Sequence, residues 1–347
     1  MKTYRLNKIR VICLLLLCCV FFIGTYQYYR LHYKLGYYED ITTIEDKAIC
    51  DEFIDKVYNT SIDSVVEYPK NVQNETKNML DGCYHVYVDV GSNIGVQIRK
   101  LFEPEKYPKA SVHSIFNSHF GTAEERQSAF GGREVCAVGF EPNSHHTQYL
   151  QEVESSYNKC GWRVKFMTET GASGRNGTTR FYTDEAYGKM EWGGGILSPD
   201  VNNIAIDNVA NKEKPKFMDV TLVRLSDFLK NIVGTRKLPV APSKSHPPQI
   251  VMKMDIEGSE VDVMSDLIFT GGLQYINKIM VEWHKRLEKL PERQKAQQQL
   301  ESITKLLGEY SKTMQKQGGK FEFILINLDD ETYLTSKFDL PKCNITT

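Results

Sequence analysis

Four places in the chain set ionisable side chains where strand, turn and helix signals meet. The stretch HVYVDVGSNIGVQIRKLF (85–102) runs apolar to Asp89, turns through Gly91 and Gly95, and enters an amphipathic pattern. Glycines at such a turn let the backbone come close to a ligand at the N-terminus of the following helix. A dinucleotide fold would hold a pyrophosphate there with G-x-G-x-x-G. D-x-G-x-x-x-G places a carboxylate beside the turn instead, which suits a cationic or polar ligand better than a phosphate. A plain glycine turn between strand and helix accounts for the same residues without any ligand.

The next apolar stretch ends in VGFEPN, with Glu141 at its tip. An acid at the end of the second strand can accept both hydroxyls of a ribose, and a solvated glutamate before a helix-starting proline is the plainer alternative. Its distance from Asp89 along the chain far exceeds the usual figure of about 20 residues. A long intervening segment, 103–135, accounts for the excess. Further on, VMKMDIEGSEVDVM (251–264) alternates Lys253, Asp255 and Glu257 with Met252, Met254 and Ile256. In a strand the three charges share one face. Three charges at the end of a buried strand are costly unless paired or used. Gly258 breaks the strand, and Ser259 or Glu260 opens a helix, so capping explains Glu260. It does not explain Asp255. In VEWHKR, His284 follows Glu282 by two positions at the end of another apolar stretch, where both could face the same site. A histidine satisfied at a strand end explains it equally well.

In the order VDVGSNIG, GFEPN, KMDIEGSE and MVEWH, these motifs resemble the FkbM family of S-adenosylmethionine-dependent methyltransferases, over roughly residues 84–285. The combination of K-x-D-x-E-G-x-E with an upstream D-x-G-x-x-x-G turn is what makes the likeness specific. The resemblance implies a class I methyltransferase sheet, Rossmann-like and doubly wound, of seven strands with one antiparallel near the C-terminus. It implies O-methylation, often of sugar or polyketide-type hydroxyls, with S-adenosyl-L-methionine as cofactor. By position, Asp89, Gly91, Asn93 and Gly95 would line the methionine end of that cofactor and Glu141 would take the ribose. Gly171 and Ala172 would lie near the adenine, and Asp255 and Glu257 by the reacting centre. The segment 103–135 departs from the pattern and leaves the acceptor undefined.

A cationic sulfonium that becomes a neutral thioether fits an acidic site. The acceptor oxygen must sit in line within about 3–3.5 Å of the methyl group, and a sugar hydroxyl needs a base nearby. Asp255 and His284 are the candidates. No pair of carboxylates at metal-ligand spacing is legible, so no metal dependence is expected.

The elements that must position these residues alternate. Strands are predicted at Val86–Val90, Cys136–Glu141, Val164–Thr168, Ile250–Asp255, Lys278–Glu282 and Phe321–Asn327, with helical patterns over 144–156, 260–268 and 292–315. Such alternation predicts a doubly wound α/β sheet. TTRFYTD and FMDVTLVRL read as extra extended pieces. The segment 103–135 is long for an α/β connection, which usually takes about 2–6 residues, and loops of that size are often lids or substrate elements. In YGKMEWGGGILSP (187–199), Trp192 beside three glycines could wall a sugar ring, although a surface loop explains it better. An amphipathic, partly exposed helix is expected at RQKAQQQLESITKLL.

With 41% apolar and 25% charged residues the chain is an ordinary globular one, and its net charge of −1 supports no nucleic-acid role. Its N-terminus is different. Lys2, Arg5, Lys8 and Arg10 precede an unbroken apolar run from Val11 to Ile23, followed by Tyr26, Tyr28 and Tyr29. Extended through the tyrosines, 11–29 approaches the about 20 residues of a membrane span. The basic flank predicts a cytoplasmic tail (1–10), a signal-anchor (11–29), a stem and helical lead-in (30–80), and a luminal catalytic domain (81–340). A cleaved signal peptide with secretion is the alternative, but no small-residue cleavage site is present. Sequons at Asn59, Asn74, Asn176 and Asn344 then become meaningful. Five cysteines lie beyond the apolar run: Cys50, Cys83, Cys136, Cys160 and Cys343. An oxidising compartment permits two disulfides among them, of open pairing.

These features lead to a single-pass, lumen-facing O-methyltransferase acting on a hydroxyl of a glycan or another polar acceptor. Two rivals stand beside it: a catalytically inactive ectodomain that binds a glycan or a protein, and an NAD-dependent sugar enzyme. Asp89, Glu141 and Asp255 speak against the first, and the missing G-x-G-x-x-G against the second.

Overall fold

The computed structural model describes residues 78–127, 134–183, 194–196, 216–239, 247–284, 291–317, 324–326 and 339–341. The expected anchor at 11–29, nearly all of the stem, Cys50, Cys343, Trp192 and the sequons at Asn59, Asn74 and Asn344 lie outside them. Among the described residues no helix is long and apolar enough to cross a membrane.

Nine strands are described: β1 (His85–Val90), β2 (Val135–Glu141), β3 (Arg163–Thr168), β4 (Thr170–Ser173), β5 (Gly177–Thr183), β6 (Lys216–Arg224), β7 (Ile250–Met254), β8 (Lys278–Val281) and β9 (Ile324–Ile326). Six of them form one sheet in the order β3-β2-β1-β7-β8-β9, with every pairing parallel. This is a mixed α/β architecture compatible with a Rossmann-like fold. Five of the six strands match the predicted ones to within one residue at either end, and β9 is described over Ile324–Ile326 of its predicted range. Seven strands with one antiparallel were expected; the described residues supply six, all parallel. The extra extended pieces, with β4, form a separate sheet in the order β4-β6-β5.

The sheet is buried on both faces, as parallel sheets are. Val86, Val88 and Val90 of β1, with Val138, Met252, Met254 and Ile279, point to one side. There they meet Val263, Met264 and Leu267 of α6 (Glu260–Phe269) and Leu300 of the long α7 (Pro291–Lys316). Tyr87, Ala137, Val251 and Met280 point to the other side, against Ile98 and Leu101 of α1 (Val96–Phe102) and Leu150 and Val153 of α4 (Thr147–Lys159).

The described part of the segment 103–135, expected as a lid or substrate element, packs into that second layer as well. It contains α2 (His113–Phe120) and α3 (Ala123–Gln127). Phe116 and Phe120 are buried, and the Phe116 ring stands edge-on to Tyr87 of β1 at 5.1 Å. Arg126, also buried, reaches back with Nε to the Leu101 carbonyl at 3.1 Å and with a terminal nitrogen to Asn117 Oδ1 at 2.8 Å. The segment is long because it builds a helical cover. A short helix, α5 (Leu225–Phe228), follows β6. Its neighbour Arg224 pairs with Asp266 of α6 through Nε at 2.9 Å.

Candidate active site

The chain reverses direction across the sheet between β1 and β7, and ligands in open α/β sheets bind beyond the carboxyl ends of the strands at such a switch point. Asp89 lies there on β1, level with Lys253 of β7 and Gly139 of β2. The peptide after β7 continues the ladder, with Asp255 N–H donating to the Val90 carbonyl at 2.9 Å. Glu141 ends β2, and Glu282 and His284 follow β8. Glu282 N–H donates to the Met254 carbonyl at 2.9 Å, so the β7 and β8 tips are tied together.

Asp89 is fully buried, and neither carboxylate oxygen has a hydrogen-bond partner. The nearby Ser92 hydroxyl donates instead to the Asp89 main-chain carbonyl at 3.1 Å. Burial pushes the Asp89 carboxyl up from 3.8 to about 7, against the opposing charge of Lys253. Buried polar groups without partners are rare and call for an explanation. A ligand donor that meets this carboxylate is one.

Gly91 and Gly95 bound the turn after β1. Both are left-handed, with φ of 88° and 78°. A Cβ on Gly91 would collide with the Asp255 carbonyl oxygen, and one on Gly95 would come within 3.0 Å of the Phe166 ring. Packing of protein on protein therefore requires both glycines. Asn93 is also left-handed, at φ 48°. Its N–H donates to Glu141 Oε2 at 2.6 Å, and Asn143 N–H donates to Glu141 Oε1 at 2.8 Å. Glu141 thus staples the turn after β1 to the turn after β2. A carboxylate has about four acceptor sites, so two remain for a ribose. Gly171 and Ala172 lie on β4 of the smaller sheet. Ala172 is part of the apolar core, and a Cβ on Gly171 would press on Ile196 and Leu222. Their surroundings are those of packing residues.

The β7 and β8 tips bring the other charges together. Lys253 Nζ meets Asp255 Oδ2 at 2.6 Å. Burial opposes ionisation of Asp255, but Lys253 and His284 outweigh it and hold the carboxyl below its ordinary range. Burial likewise opposes the charge on Lys253, and Asp255 and Asp89 still hold its pKa high. The strand ends at Met254, so Glu257 does not continue its face as the alternation predicted. It lies beyond the strand in a left-handed turn, at φ 55°, and reaches His284 Nε2 at 3.4 Å.

Glu260 is the residue that sequence reasoning missed. It does not merely favour the helix N-terminus. Oε1 accepts from Ile256 N–H at 3.0 Å, and Oε2 from Gly258 N–H at 2.9 Å. Oε1 also lies 2.8 Å from His284 Nδ1. The signal was present in D-x-E-G-x-E, where an acid follows the turn it can close. Burial pulls His284 down, but bonds to Glu260 and Glu282 and the charge of Glu257 raise it to about 11. An imidazolium has no lone pair to take a proton, which removes His284, in this ionisation state, from the role of general base.

Around this point stand Asp255, Glu257, Glu260 and Glu282 against Lys253 and His284, four acids to two bases. Such a surplus favours a positively charged ligand. Asp255, Glu257 and His284 each place one potential metal-ligand atom within 4.8 Å of the other two. Spacing along the chain had shown no such set. No protein-family model, curated protein or solved structure matches the chain.

Proposed function

We propose that this chain is an S-adenosylmethionine-dependent O-methyltransferase, with a hydroxyl of a glycan or similar polar acceptor as substrate. The observation that carries the reading is Asp89: fully buried at the switch point, with both carboxylate oxygens unpartnered. The fold supports it, and so does the resemblance to the FkbM family. In that reading the sheet is the seven-stranded class I methyltransferase one.

The donor set suits the cofactor. Asp89 offers two acceptor oxygens, Glu141 keeps acceptor capacity for a ribose, and the acidic surplus at the β7 and β8 tips faces a cation. When bound, S-adenosyl-L-methionine supplies a methyl group on a positively charged sulfur. Asp255, kept ionised by Lys253, accepts a hydrogen bond from the acceptor hydroxyl and orients it; its lowered pKa makes it a weak base. His284 and Glu260 hold the tip that carries Asp255 and Glu257. The whole domain lies in the secretory lumen, anchored by 11–29, a topology supported by the basic flank, the sequons and the disulfide Cys83–Cys136.

Calorimetry with S-adenosylhomocysteine tests the reading. The full-length protein should bind it, and Asp89→Asn should weaken binding at least tenfold, about 1.4 kcal/mol. Absence of binding to the wild type, or equal binding by a folded variant, would exclude the cofactor assignment.

A further inference from the structure

The geometry points to a divalent-cation site formed by Asp255 Oδ1, Glu257 Oε1 and His284 Nε2, in which the cation takes the place of the Nε2 proton and that proton leaves to solvent. The site shares Asp255 and Glu257 with the methyl-transfer reading, but its test does not depend on that reading. One potential ligand atom from each of the three residues lies within 4.8 Å of the other two. His284 Nε2 stands 3.4 Å from Glu257 Oε1 and 3.6 Å from Asp255 Oδ1. Glu282 Oε1 flanks the group at 3.5 Å. A charge-assisted hydrogen bond would be shorter, about 2.7–2.9 Å. Ligands on a tetrahedral metal with bonds of about 2.1 Å stand about 3.4 Å apart. The two separations from Nε2 match those of ligands around a shared centre, and the His284 side chain is only 3% exposed.

The supporting groups are also those of a metal site. A metal-ligating histidine usually donates its other ring N–H to a carboxylate, which orients the ring and makes the ligand more basic. Glu260 does this to His284 Nδ1 at 2.8 Å. Glu260 is itself fixed by Ile256 N–H and Gly258 N–H. Asp255 gives its other oxygen, Oδ2, to Lys253, which leaves Oδ1 turned toward the histidine. One imidazole with two carboxylates is a mixed nitrogen–oxygen set, suited to Mn²⁺ or Zn²⁺ more than to Mg²⁺ or Ca²⁺. A hydroxyl or water coordinated there would be more acidic than in solution. The cation would thus do for an acceptor what weakly basic Asp255 does poorly.

The test is titration of EDTA-stripped, full-length protein with Mn²⁺, free Mn²⁺ being read by its paramagnetic resonance signal and no S-adenosyl compound being present. One tightly bound Mn²⁺ per chain is expected for the wild type. Glu257→Gln should abolish that single equivalent or weaken it at least tenfold, and Glu260→Gln, which acts only through the His284 ring, should weaken it by about 10–100-fold. Excess Zn²⁺ should displace the bound Mn²⁺. Wild type that binds no Mn²⁺ below millimolar concentration overturns the proposal whatever the variants do. So does a folded Glu257→Gln protein that keeps its one equivalent, since the ion would then sit elsewhere. Because no cofactor enters the experiment, its failure leaves the methyltransferase reading standing, and the reverse holds too.

Discussion

At the scale of the residue, Asp89 carries an unbalanced cost, a buried carboxylate with neither oxygen hydrogen-bonded. Its carboxyl is raised from 3.8 to about 7 mainly by burial. Between those values the folded state holds a proton that the unfolded state has released. Stability therefore declines as pH rises from about 4 to about 7, by at most about 1.4 kcal/mol per pH unit from this group. Above that window the cost stays constant. Asp89→Asn removes the titration, so the difference in stability between wild type and variant, measured by denaturant melts without ligand, should change between pH 4 and 7 and level off above it. A difference that is flat throughout would mean that the carboxylate is satisfied. The variant should be the more stable protein at pH 8 while losing S-adenosylhomocysteine, the trade expected where a polar group is kept for function at a cost in stability.

Among the elements, the segment 103–135 separates two readings cleanly. As a lid its apolar side chains would serve a substrate; as a cover they serve the sheet. Phe116 is buried against Tyr87, stacks on Phe120 and lies beneath Arg126. Phe116→Ala should therefore destabilise the fold by about 3–5 kcal/mol, the cost of an aromatic-sized cavity. Urea unfolding checks this. A loss under 1 kcal/mol, with altered kinetics toward the acceptor instead, would return the segment to the role of a lid. The turn from Asp255 to Glu260 works by the same logic at shorter range. Gly91, Gly258 and Glu260 fit the β1 and β7 tips together so closely that the site and the fold share their atoms.

For the whole molecule the question is the compartment. Cys83 lies just before β1 and Cys136 on β2, and their bond closes a loop of 53 residues that contains the helical cover. Cys160 is also disulfide-bonded. Such bonds persist where the surroundings oxidise. Asn176 of the one described sequon is exposed, with its amide donating to Asp227 at 2.9 Å. Expressed in a secretory cell, the full-length chain should stay with membranes and migrate faster after glycosidase treatment. Unchanged migration together with a soluble, full-length product would place the domain in the cytosol and leave the disulfide without a reason.

The alternation of strand and helix, the strand tips that bear acids, and the glycine turns are legible in the sequence because they are local. A period of two or of 3.6 residues, a helix breaker or a cap acts over a few neighbouring positions. Residues 85–90, 135–141, 163–168, 250–254 and 278–281 form strands where their apolar pattern says they should. Asp89, Glu141, Asp255 and His284 all stand at the carboxyl ends of such strands for the same reason. What each does there was decided by tertiary structure. Parallel neighbours are joined by crossovers, so Glu260 and His284 meet only because β7 and β8 pair in the register Met254↔Val281. Gly91 is a glycine because of a carbonyl far along the chain. The pKa of His284 is raised because four carboxylates converge on it in a buried place, and neither burial nor convergence is a property of the motif VEWH. Tertiary contact also turned a long, irregular-looking insertion into the second face of the core. Its apolar residues found a partner in Tyr87 that no local pattern could name.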